Sequence, residues 1–166
     1  MKWIRGSQGG KTFYGILEDD RGTPVQGDPF SGYEKRGETL RLEDLRLEVP
    51  VVPPTFYCVG LNYIKHIGTE GKQIPTQPDV GYRANNALVA HGQDVLMPAD
   101  ATRVHYEGEL VVVIGKQARN LSPAEARACI LGYTIGNDVS ERNWQASDRT
   151  FWRAKNSDTF KPMGPW

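Results

Sequence analysis

Glu107-Gly108-Glu109 runs directly into Leu110-Val111-Val112-Val113-Ile114, and that junction constrains the fold more than any other stretch of the chain. Side chains alternate along a strand, so two carboxylates two residues apart face the same way. The run from Leu110 to Ile114 is apolar at every position and predicts a strand buried on both faces. Carboxylates at the mouth of such a strand are costly unless they are paired or bound to a cation. A third carboxylate, Asp138 in Gly136-Asn137-Asp138-Val139-Ser140, follows a predicted helix and the start of another strand. Three convergent carboxylates repel one another unless a hard cation sits among them, and Mg2+ or Mn2+ suits an all-oxygen site. This points to an enzyme; the competing reading is a Glu-x-Glu pair that simply faces solvent.

The bulk properties exclude several classes. Lysine plus arginine equals aspartate plus glutamate at 20 each in 166 residues. Neither a nucleic-acid partner nor a membrane surface is therefore expected. No apolar run approaches the ~20 residues that span a bilayer. Met1-Lys2-Trp3-Ile4-Arg5 lacks the apolar core of a signal peptide, so a cytoplasmic protein is expected. Cys58 and Cys129 lie in apolar settings and read as buried free thiols. The three histidines show no paired spacing, which argues against zinc.

Residues 1–50 read as a small β-rich domain. A strand is expected over Thr12–Leu17, a hairpin turn over Glu18–Gly22 and a return from Thr23. Leu40, Leu42, Leu45 and Leu47 add a partly apolar face. Pro50, Pro53 and Pro54 mark a boundary, and residues 54–166 form the second unit. There Phe56–Gly60 reads as a buried strand, Asn62–Glu70 as a short helix or ordered loop, and Gly68–Pro78 as a mobile, lid-like stretch. Leu88-Val89 and Asp94-Val95-Leu96 read as short strands. The clearest helix is Pro123–Leu131, with Ser122 as N-cap, Glu125 completing a capping box and Gly132 as the stop. Tyr133–Val139 returns as a strand carrying Asp138.

From about Pro54 onward the chain resembles the fumarylacetoacetate hydrolase superfamily, including its acylpyruvate hydrolases and 2-hydroxyhepta-2,4-diene-1,7-dioate isomerases. The resemblance rests on Cys58-Val59-Gly60-Leu61-Asn62-Tyr63 with His66, on Tyr106-Glu107-Gly108-Glu109-Leu110, and on Gly132-Tyr133-Thr134 through Asp138-Val139-Ser140-Glu141-Arg142 to Gln145. Lys155 with Asp158-Thr159-Phe160 and Pro162-Met163-Gly164-Pro165 completes it. It implies a mixed, mainly β (α+β) fold: a β-roll catalytic domain behind a small β-rich N-terminal domain. It implies a divalent metal, Mg2+ or Mn2+, held by Glu107, Glu109 and Asp138. Lys155, His66 and Glu70 would be catalytic; Arg83, Arg142 and Gln145 would bind substrate. Arg142 has a structural salt bridge as its competing role, and Gln145 a plain surface position. Tyr133 is expected in the core, Lys161 in solvent, and His91 and His105 as ordinary polar residues.

Three departures from the family pattern shape the reading. The glutamate that usually sits three residues after the histidine is replaced by Thr69, with Glu70 one place later, which puts the water-activating dyad in question. The lysine segment after the lid is replaced by Gly81-Tyr82-Arg83-Ala84, where arginine keeps the charge but is no proton-transfer group. On fold analogy, roughly a hundred residues are expected beyond Trp166, so the chain is expected to be a piece of a longer protein. The resulting expectation is an enzyme of 2-oxo or 1,3-diketo acids. It would hydrolyse a carbon–carbon bond of an acylpyruvate or isomerise a 2-hydroxy-dienoate through a metal-stabilised enolate, in aromatic-compound breakdown, as a homodimer. Decarboxylation by the same kind of site, or a non-catalytic remnant completed by a partner chain, are the alternatives.

Overall fold

A computed structural model of the protein describes residues 1–69, 71 and 73–166. The first 50 residues build one antiparallel sheet from β1 (Lys2–Gln8), β2 (Lys11–Glu18), β3 (Arg21–Asp28), β4 (Gly32–Lys35), β5 (Leu40–Arg41) and β6 (Arg46–Leu47). The order is β4-β3-β2-β1-β6, with β5 added to β3. The β1–β2 hairpin closes through Gly9 and Gly10, both at positive φ, the backbone that a two-residue turn between right-twisted strands requires. Ile4, Leu17 and Leu45 form the buried centre, ringed by Phe13, Leu40, Leu42 and Leu47. The sheet crosses this centre closely: a Cβ on Gly22 would lie 2.6 Å from Ile4 Cδ1.

Beyond the prolines follow β7 (Phe56–Gly60), α1 (Ile64–Thr69), β8 (Asp79–Arg83), β9 (Leu88–Ala90), β10 (Val104–His105) and β11 (Gly108–Ile114). Then come α2 (Pro123–Arg127), β12 (Ile130–Asn137), β13 (Ser140–Glu141), α3 (Arg142–Ser147), α4 (Trp152–Asn156) and β14 (Lys161–Gly164). One sheet runs β11-β12-β14-β9, in which β14 and β9 pair in parallel. Two-stranded ladders join β7 to β8 and β10 to β13. The fold is mixed and mainly β, with short helices.

Two features of this frame place the site. Glu109 pairs with Gly136 across β11 and β12, and just past that ladder the Asp138 amide donates to the Glu107 carbonyl at 2.8 Å. The Glu107 amide in turn donates to Asn137 Oδ1 at 2.9 Å. Glu107 and Asp138 are thus locked side by side at one end of the sheet. α4 is fixed to the end of β8, because Asn156 Oδ1 accepts from the Ala84 amide at 2.7 Å. That contact sets Lys155 beside Arg83.

Several expectations are corrected. β11 is not buried on both faces: Leu110, Val112 and Ile114 are exposed, as are Leu131, Tyr133 and Ile135 on its neighbour β12. Leu110 pairs with Ile135 and Val112 with Tyr133, so one whole face of this antiparallel pair is an uncovered apolar patch. Tyr133 is therefore 59% exposed rather than in the core. β7 likewise shows Tyr57 and Val59 to solvent. Asp94–Leu96 forms no strand. The helix capped by Ser122 has its full capping box but ends at Arg127; Gly115 takes the Cys129 carbonyl, drawing the chain into β12 early. Both thiols are free but only partly buried.

Candidate active site

Asp138 is the most heavily partnered side chain of the site. Arg83 grips it with both ends of the guanidinium, Nε to Oδ1 at 2.7 Å and the second contact to Oδ2 at 2.8 Å. Lys155 Nζ lies 2.6 Å from Oδ2 and Lys161 Nζ 3.0 Å from Oδ1. Burial by itself would raise this carboxyl. The Arg83 hydrogen bonds and the charges of Lys161, Arg83 and Lys155 win, holding it well below the usual carboxylate range. The Cys58 thiol also points at Oδ2, at 3.7 Å. Burial and the Asp138 charge push that thiol up to about 11, so it is a protonated donor at neutral pH and not a nucleophile.

Glu107 is the second hub. Lys155 donates to both of its oxygens at 3.0 Å. Arg142 meets Oε1 at 2.7 Å and Ser140 Oγ donates to the same oxygen at 2.9 Å. Arg142 also donates to Gln145 Oε1 at 2.8 Å and to His105 Nδ1 at 3.3 Å. One turn of α3 places Arg142 and Gln145 together. Its start is pinned by the buried carboxylate of Glu141, which accepts from the Trp144 and Arg103 amides.

Glu109 stands apart. Among the described residues it has no ion-pair partner, although Glu107 and Asp138 are near enough to act on it. Burial, then the charges of Glu107 and Asp138, raise its carboxyl, and the Tyr63 hydroxyl and the Lys155 charge offset this in part. The Leu110 amide donates to that hydroxyl at 3.4 Å, tying the turn before α1 to β11.

The site thus gathers Glu107, Asp138, Lys155, Arg83, Arg142 and Gln145 into one network with Glu109 at its edge. His66 lies on exposed α1, and Glu70 falls outside the described residues. Lys161 is the clearest correction: it is 2% exposed and its ammonium is fully engaged, by Asp138 and by the Val139 and Phe160 carbonyls at 2.9 and 2.8 Å. Burial pulls it down to about 8 against the opposing effect of Asp138. Its apolar neighbours Phe160 and Pro162 were the available signal. His105, Ser140, Tyr63 and Cys58 also join the site; Ser140, Tyr63 and Cys58 sat inside recognised motifs, whereas His105 had no local signal.

Among the described residues no three Asp, Glu, His or Cys side chains are gathered tightly enough to enclose a metal ion as they stand. The donor chemistry nevertheless fits a hard divalent cation. All three candidates are carboxylates, and Glu109, offset only in part by the Tyr63 hydroxyl and the Lys155 charge, has no ion-pair partner among the described residues, the kind of group that a bound ion would satisfy.

A family model described as fumarylacetoacetate (FAA) hydrolase C-terminal matches residues 55–166, and one described as Rv2993c-like, N-terminal matches residues 1–50. Protein Rv2993c of Mycobacterium tuberculosis is 43% identical over 138 residues, which cover 83% of this chain and 52% of that protein. The mitochondrial oxaloacetate tautomerase Fahd2a of Rattus norvegicus is 32% identical over 168 residues, covering 91% of this chain and 54% of that one. The 5-carboxymethyl-2-hydroxymuconate delta-isomerase structure from Mycobacterium smegmatis superposes with a TM-score of 0.90 at 35% identity, covering 100% of this chain and 66% of that one. The chain spans about half the length of these curated relatives.

Proposed function

Since the chain belongs to the fumarylacetoacetate hydrolase family, we propose that its carboxylate–lysine centre serves enol–keto chemistry on a 2-oxo or 1,3-diketo acid, with Mg2+ or Mn2+ as cofactor. The observation that carries this reading is the placing of Glu109, without an ion-pair partner among the described residues, beside two carboxylates already ringed by Arg83, Arg142, Lys155 and Lys161. Such a centre sets three carboxylates together and has standing positive charge for an anionic substrate.

Glu107, Glu109 and Asp138 would hold the cation, which when bound would act as a Lewis acid on the keto and carboxylate oxygens. The chain's own groups divide the remaining work. Arg142 and Gln145, joined at 2.8 Å, present an edge of donors suited to a carboxylate. Lys155 supplies a nearly buried ammonium where enolate charge develops. His66 would carry the proton to or from the adjacent carbon.

Isomerisation, or keto–enol interconversion, is the favoured form. It needs charge stabilisation and one proton carrier, the role proposed for His66, and the similar proteins include a named tautomerase and a named delta-isomerase. Hydrolysis of an acylpyruvate is the second reading and needs Glu70 to join His66 in activating water. A homodimer in the cytoplasm acting in aromatic-compound breakdown completes the reading. The uncovered apolar face of β11 and β12 supports association, and the free thiols support a reducing compartment.

The test is deuterium exchange at the carbon beside the keto group of pyruvate and oxaloacetate, followed by proton NMR. Metal-dependent exchange that disappears in Glu109→Gln supports the proposal. Exchange no faster than in buffer, with a folded protein and added Mn2+, contradicts it.

A further inference from the structure

Three basic side chains answer the single charge of Asp138, and they are held in different ways. Arg83 is fixed by its two-point grip and by a further contact from the guanidinium to the Tyr82 carbonyl at 3.0 Å. Lys161 has a distinct acceptor for each of its three protons, two of them backbone carbonyls. Lys155 is different. Its ammonium touches Glu107 Oε1, Glu107 Oε2 and Asp138 Oδ2, and among the described residues it has no backbone partner. It is held only by carboxylates, and they are two of the three that would hold the metal.

An ammonium bridging Glu107 and Asp138 stands where a cation shared by them would have to bind. Two cations drawn to the same carboxylate oxygens repel each other at such short range, so the ammonium and the metal compete for them. We propose that Lys155 is the resident counter-cation of the metal-free centre and yields its place when the metal binds. The proposal rests on the metal-dependent reading above. Arg83 and Lys161 make the exchange feasible, because they keep Asp138 compensated after Lys155 leaves. Arg142 and Ser140 do the same for Glu107. The displaced ammonium, on its flexible four-carbon stem, is then released toward whatever anion the metal has brought in. Lys155 and the metal are therefore negatively coupled, and the coupling is reciprocal.

The test is Mn2+ affinity by calorimetry for the full chain and for Lys155→Met and Lys155→Arg. The methionine variant keeps every other ion pair of the centre. With the competitor gone, K155M binds Mn2+ tighter on the order of tenfold, whereas K155R, which keeps a competing cation, does not. A second readout is 15N NMR of the lysine ammonium groups with Mg2+, the Lys155 signal being assigned by its loss in K155M. That signal moves on Mg2+ addition while the Lys161 signal stays. Wild-type binding with equal or weaker affinity in K155M, or an unmoved Lys155 signal at saturating Mg2+, overturns the exchange and leaves the metal reading standing. Failure of both proteins to bind Mn2+ overturns the metal reading and the exchange together.

Discussion

Arg83 holds Asp138 through two parallel hydrogen bonds, at 2.7 and 2.8 Å, with both side chains nearly out of solvent. Only a planar guanidinium makes that contact. Arg83→Lys keeps the charge but gives up one of the two bonds. A loss of about 1.5–3 kcal/mol in urea unfolding is expected, the usual range for a hydrogen bond to a charged group. A change below about 0.5 kcal/mol, the level of an ordinary surface substitution, would show that the two-point grip is unimportant.

Lys161 carries a different prediction, because it ties Asp138 to the carbonyls that flank β14 and the loop before β13. Lys161→Met leaves buried acceptors without a donor and is expected to cost about 3 kcal/mol by the same assay. Lys116→Met, on an exposed loop, serves as the control and should be silent.

Cys58 sets a pH dependence. Its thiol pKa in the folded chain is about 11 against an ordinary 9.0. A group raised in the folded state stabilises fully below its unfolded value and loses that contribution as pH climbs through the folded one. Stability should therefore fall between pH 9 and about 11, and Cys58→Ala should flatten that decline. Iodoacetamide should label Cys58 slowly at pH 8, with the rate rising toward pH 11. Fast labelling at pH 8 in the native protein would contradict the environment described for it.

The apolar face of β11 and β12 predicts a surface that seeks cover. Val112 and Tyr133 are cross-strand partners near its middle, and both are exposed. The protein should bind the dye ANS and sediment with concentration-dependent mass, and Val112→Lys with Tyr133→Lys should reduce both effects. Monomeric sedimentation without dye binding would mean that this face is not adhesive.

How much of this was legible in the sequence follows from which signals are local. The Ser122 capping box and the β2–β3 hairpin each declare themselves within a few residues, and both are present; of the carboxylate pair expected on one strand only Glu109 lies on β11, with Glu107 just before it. Burial is not local. Leu110–Ile114 reads as buried from its composition, but whether a strand face is covered depends on what packs against it, and one face here is bare. Lys161 shows the same limit from the other side. A lysine is ordinarily solvent-facing; the apolar neighbours Phe160 and Pro162 hint at burial, but the convergence of Asp138 and the Val139 carbonyl on its ammonium is set by contacts distant in sequence. Cys58 reads from the sequence as a buried free thiol in the Cys58-Val59-Gly60-Leu61-Asn62 motif, yet its place beside Asp138 depends on how β7, paired with β8, meets a residue 80 positions away. Glu141 was read within a motif, while its work of pinning the start of α3 needs the loop at Thr102 and Arg103.

The central claim is that Glu109 completes a divalent cation site with Glu107 and Asp138. The most direct test is a Mn2+ titration of the wild-type chain and Glu109→Gln, with free Mn2+ followed by electron paramagnetic resonance. The account predicts one ion per wild-type chain and binding weakened by about 10- to 100-fold or more in the variant, with its circular dichroism unchanged. Absence of stoichiometric binding in the wild type, or equal binding by the variant, would contradict it.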